Sequence, residues 1–182
     1  MTEITPDAYS REWDYALRIY AQPGVAEACL LLQDRAGVDV TVLLHAMHLF
    51  TANGIALDAQ ALARAEARVA AWRREVTAPL RALRAALKPG FASIPAKLVE
   101  QTRQKIKAAE LDAEFAALAT LSMDAGMHQG SLASAASSAD LLNRVLELYA
   151  SNAPSSERQD AAVREAVLCL QNILDEEDRG RS

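Results

Sequence analysis

Apolar residues recur along this chain three and four positions apart, and proline, glycine and asparagine interrupt them at intervals that suit helices rather than strands. Over about residues 6–21, Trp13, Ala16, Leu17 and Tyr20 share one helical face, with Pro6 as a first-turn signal. The run "QPG" at 22–24 breaks that helix. Pro23 then opens a second one, whose Val25, Ala28, Cys29 and Leu32 share a face, and Gly37 stands where a left-handed terminus is cheap. Asp39 follows as the N-cap of a third helix over about 40–52, which stops at Asn53-Gly54.

From Asp58 the pattern lengthens. Leu62, Val69, Val76 and Leu83 repeat every seven residues, beside a second seam of Ala65, Trp72, Pro79 and Ala86, as in close antiparallel helix packing. Pro79 removes a backbone donor inside this pattern, so a break or kink is expected near 77–79. "LKPG" at 87–90 ends the element. Ser93 and Pro95 start a long helix reaching about Met123, with Leu111, Phe115 and Leu118 as its clearest apolar face. Residues 126–138 are rich in glycine and serine and read as a linker between a main unit, 1–125, and a C-terminal helical pair, 139–182, packed on the same core. That pair spans about 139–151 and 157–177; Ser156 and Gln159 make a capping-box spacing, Val163, Val167, Leu170 and Leu174 give a core face, and the tail after it reads as frayed. The expected architecture is all-α: an irregular bundle of about eight helices, with no internal repeat.

Composition adds little to this picture: 51% hydrophobic and 24% charged residues are ordinary for a globular protein. No run approaches the ~20 apolar residues of a membrane span, and the start lacks the layout of a secretory signal, so the expected place is the cytoplasm, with no membrane partner. Cys29 and Cys169 sit in apolar helical patterns and read as free buried thiols.

Charge placement adds more. Residues 64–107 carry eleven Lys or Arg against three acids, while the rest of the chain has a net charge of −13. A basic segment of this kind could neutralise phosphates of RNA or another anionic partner, although it lacks the interleaved aromatics of a single-strand groove. It could equally lie against acids of its own fold, with Glu110, Asp112, Glu114 or the run Asp175–Asp178 as candidates. Arg81 and Arg84, after the Pro79 break, suit bidentate gripping of a carboxylate or phosphate; they also fit the solvated face of an amphipathic helix together with Lys88.

Chemistry is hinted at in one further place. At ~100° per residue, Thr41, His45, His48 and Ala52 form a polar stripe on an otherwise apolar third helix. Burying imidazoles without partners is costly, so the stripe meets water, is hydrogen-bonded internally, or lines a cavity. Spacing of i and i+3 is usable for a metal, but neither Glu-x-x-His nor His-Glu-x-x-His occurs, and the third histidine, His128, falls in the linker. No metal or cofactor is therefore expected, and phosphate cradles, nucleophile elbows and paired-cysteine motifs are absent from the sequence.

The order Trp13, Tyr20, Pro23-Gly24-Val25, Cys29-Leu30, Leu32-Gln33-Asp34, Gly37, Asp39-Val40, Trp72-Arg73 and Pro79-Leu80-Arg81 resembles a family of uncharacterised proteobacterial helical proteins, over about residues 11–88. The resemblance implies a compact helical protein with no known activity; where this chain has His45 and His48 the family has apolar or aromatic residues, which argues against a histidine-based mechanism shared across it. Its polar positions are Gln33, Asp34 and Asp39, which are placed to fix the Gly37 corner through side-chain to backbone bonds.

Three functions compete on this reading. The leading one is a non-enzymatic interaction or scaffold protein that self-associates or docks a partner. The second is a small-ligand or metal-dependent enzyme using Thr41, His45 and His48 with a carboxylate such as Glu27. The third is RNA or anionic-partner binding through residues 64–107.

Overall fold

The computed structural model describes residues 6–54, 56–123, 137–150 and 160–180, and all regular structure in them is helical. In chain order the helices are α1 (Pro6–Tyr20), α2 (Val25–Ala36), α3 (Val40–Asn53), α4 (Ala59–Trp72), α5 (Ala78–Ala86), α6 (Ala96–Ser122), α7 (Ser138–Leu148) and α8 (Ala161–Arg179). A π-helical turn, Arg73–Thr77, joins α4 to α5, so the described residues form seven rods. This is the all-α bundle that the periodicity predicts.

α3 is the central helix and packs on α1, α2, α4, α6, α7 and α8. A helix enclosed in this way must be apolar nearly all round, which is why Val42, Leu43, Ala46, Met47 and Leu49 are all buried. Asp39 caps α3 by accepting the Thr41 N–H at 2.7 Å, as the sequence suggests. The corner before it needs glycine: Gly37 has φ 67° and donates its N–H to the Leu32 carbonyl. Gly24 is a second such position. Its φ is 82°, and a Cβ there would stand 3.2 Å from Cys169 Sγ, so α2 starts at Val25 after a left-handed residue, not at Pro23.

Pro79 does not break its helix. Ala78 keeps helical angles, and its N–H bonds to the Arg73 carbonyl five residues back. The wide turn absorbs the missing donor just ahead of the ring, so the expected disturbance comes as a π-helical turn at 73–77 and not as a break at 77–79. Beyond it, α5 and the first half of α6 form an arm: between residues 78 and 109 only Val99 is buried, and Leu83, Phe91, Ile94 and Leu98 are each about half exposed.

α7 and α8 share the main core, where Leu141, Leu142, Tyr149, Leu170 and Leu174 are all buried. Of the glycine- and serine-rich run, 126–136 lies outside the described residues; Ser137 caps α7 in a capping box with Asp140, and Ser138 is buried within the helix. The Ser156–Gln159 pair and His128 also lie outside the described residues. α8 is capped by Asp160 and continues through Arg179, further than a frayed tail would allow, because Arg18 grips Glu177 with two hydrogen bonds of 2.6 and 2.7 Å. Cys29 and Cys169 are free thiols; Cys29 is buried, and burial pushes its thiol up to about 12, while Cys169 is only partly covered.

Candidate functional site

The apolar faces read from the sequence for α1 and α6 meet across a cleft. Trp13, Ala16, Leu17 and Tyr20 form one wall, and Leu111 and Leu118 form the other. Phe115 stands edge-on to Trp13 with ring centroids 5.1 Å apart. Leu30 of α2 and Val40 and Leu44 of α3 complete a cavity of about 260 Å³, close to the lower end of the range for small-molecule sites. Leu17, Leu30 and Leu111, each close to half exposed, stand at this cavity.

The cleft also has a polar lining, and four elements supply it: Gln33 from α2, Thr41 from α3, Arg81 and Arg84 from α5, and Lys107, Glu110 and Glu114 from α6. Glu110 is 6% exposed and takes both guanidiniums: Arg81 Nε donates to it at 3.0 Å, and Arg84 donates from Nε and, at 3.2 Å, from Nη2. Arg81 Nη2 donates to Glu114 at 2.7 Å. Burial would lift the Glu110 carboxyl, but the hydrogen bonds from Arg84 and Arg81 outweigh it and hold the group below its ordinary value. Glu114, with less compensation from Arg81, is pushed up by burial.

A smaller cavity of about 200 Å³ adjoins the cleft and shares Gln33, Val40, Thr41 and Arg81 with it. Its anchor is Arg73, which donates to Asp39 at 2.6 Å and to Glu66 at 2.8 Å; Tyr149 donates its hydroxyl to Glu66. The α3 cap, the π-helical turn and α7 are thereby tied together. Gln33 lines both cavities, and Asp34 is exposed.

The structure divides the histidine stripe. Thr41 points into the cleft with Arg81 and Arg84, whereas His45 is fully buried and its Nδ1 lies 2.7 Å from Glu12 Oε1. Ser122 donates its hydroxyl to the other Glu12 oxygen. The carboxylate beside the histidines is therefore Glu12 of α1; Glu27 is exposed on α2. Glu12 carries a legible signal that the α1 face drawn from the sequence omits: it leads the buried series Glu12, Tyr15, Ala16, Ile19 at helical spacing. Among the described residues no group of three or more His, Cys, Asp or Glu is placed to hold a metal ion.

His48 packs its ring against Tyr15, with centroids 4.9 Å apart. Its imidazole is held below the ordinary 6.5, mainly by burial; Glu12 opposes the effect, while His45, Arg11 and Arg18 add to it. The unfolded chain thus takes up this proton at higher pH than the fold does. The stability His48 contributes is complete above the unfolded value and is lost as pH falls through the folded one. Unfolding free energy from urea titrations is expected to decline as pH falls below about 6.5, and His48→Leu to flatten that decline. An unchanged slope in the variant would refute the assignment.

Part of the basic middle is paired within the fold: five of its eleven Lys and Arg residues. Arg73, Arg74, Arg81, Arg84 and Arg103 all form ion pairs with acids of residues 39–114. Glu110 and Glu114 are the acids used by the cleft arginines, as one reading of the sequence expects. Less positive charge is therefore offered to phosphates than the residue count suggests. No helix among the described residues is long and apolar enough to cross a membrane.

A family described as a protein of unknown function, DUF2390, matches residues 11–121, well over half the chain. The chain belongs to DUF2390. The DUF2390 match runs through α6, past the residue-88 limit of the resemblance seen in the sequence, and it brings in Glu110 and Glu114, the partners of Arg81 and Arg84. Every residue lining the cleft, from Trp13 to Leu118, falls within the DUF2390 segment, while α7 and α8 lie outside it. No curated protein and no solved structure matches the chain.

Proposed function

We propose that this protein is a non-enzymatic binding protein that receives the apolar body of a small amphipathic molecule in the cleft between α1, α2, α3, α5 and α6. The observation that carries this reading is that the apolar faces drawn from the sequence on α1 and α6 line a cleft with half-exposed leucines beside it. A helix face that served packing alone would bury those leucines. The polar groups at the cleft are arginines, a lysine and glutamates, with Gln33 and Thr41, and the histidines stand outside it, which fits recognition better than acid/base chemistry. This keeps the non-enzymatic part of the leading reading of the sequence and takes the small ligand from the second, in place of a partner protein.

The test uses N-phenyl-1-naphthylamine, an uncharged apolar fluorophore. Saturable one-to-one binding is expected, with energy transfer from Trp13. Leu17→Lys combined with Leu111→Lys places charge beside the cleft at exposed positions and should weaken binding about tenfold, ~1.4 kcal/mol, with the thermal transition retained. Absence of saturable binding, or binding indifferent to both lysines, would overturn the reading.

A further inference from the structure

Resting on that reading, we infer that the cleft selects a ligand with a carboxylate head on its apolar body, held by Arg81, Arg84 and Lys107. The argument comes from which polar atoms the fold has already used. Glu110 gives both oxygens to the two arginines, and Glu114 gives one oxygen to Arg81. On the donor side, Arg81 and Arg84 bond through Nε and Nη2, so each guanidinium keeps its Nη1 edge for another acceptor. Lys107 is exposed and lines the same cleft. Three cations and two carboxylates line it, so one bound monoanion brings the lining to neutrality.

The glutamates also hold the guanidiniums in place. Ordering a free arginine costs rotamer entropy on binding; here the ion pairs to Glu110 and Glu114 fix both side chains beforehand. The chain of the ligand would lie along Trp13, Leu17 and Leu111, with the carboxylate accepting from the Nη1 edges and from Lys107.

Displacement of N-phenyl-1-naphthylamine by octanoate, octanol and octylamine separates the head from the body, because the three share one alkyl chain. Octanoate is expected to displace the probe at a concentration about fivefold lower than octanol near neutral pH, and octylamine to be the weakest. Lys107→Gln, which removes no ion pair among the described residues, should narrow the octanoate-to-octanol ratio, as should added salt. Equal displacement by octanoate and octanol, or a preference for octylamine, would overturn the carboxylate inference and leave the apolar cleft standing. A preference for octanoate that survives both Lys107→Gln and Arg84→Gln would overturn the assignment to these residues. Failure of the probe itself to bind would overturn the binding reading and this inference together.

Discussion

Glu12→Ala is expected to lower the unfolding free energy by about 1–3 kcal/mol, the cost typical of leaving a buried hydrogen-bonding group without its partner. Glu12 is 2% exposed and His45 is fully buried, so no water replaces the lost carboxylate. Two groups lose a contact at once: the His45 imidazole and the Ser122 hydroxyl, which keeps the Leu118 carbonyl at 3.1 Å as its remaining acceptor. Glu12→Gln keeps the shape and one acceptor oxygen and should cost less. Urea unfolding of the three proteins gives the comparison directly. A loss under ~1 kcal/mol in Glu12→Ala, the level of an exposed ion pair, would mean that α1 does not close over α3 as described.

Ending the chain at Met123 is expected to abolish cooperative unfolding, although the DUF2390 segment would be complete. α8 makes its most extensive packing with α2, and Leu141, Leu142, Val163, Leu170 and Leu174 are each no more than 2% exposed. At about 1.5–3 kcal/mol per buried side chain, these residues together rival the ~5–15 kcal/mol net stability of an ordinary domain. Tyr149 also ties α7 to Glu66 at the foot of the π-helical turn. The check is the thermal transition of the shortened chain followed by circular dichroism. A sharp transition would show that the segment folds alone and that α7 and α8 are accessory to it.

Much of this molecule is legible along the chain because helices, caps and corners are local. Asp39 caps α3 because the accepting oxygen and the donating N–H groups lie within three residues of each other. Gly37 ends α2 because only glycine adopts its left-handed conformation without strain. Pro79 shows where local reasoning fails: the missing donor is real, but a π-helical turn relieves it, and nothing in the residues around it distinguishes that outcome from a break.

The site divides along the same line. Arg81, Arg84, Thr41 and Gln33 stand out in the sequence, and the fold brings all four into the lining of the cleft. His45 and His48 stand out equally, and the fold takes them away from it. Both groups look alike to periodicity, because a helical wheel gives direction around an axis and says nothing of what lies there.

By itself, then, the sequence determined the helices, their caps and corners, and which faces are apolar, since those depend on neighbours a few residues apart. Only the tertiary structure decided which apolar face is core and which is cleft wall, and which buried histidine has a carboxylate. Those outcomes depend on contacts such as Glu12 with His45 and Arg81 with Glu114, each spanning 33 residues, which no local pattern encodes.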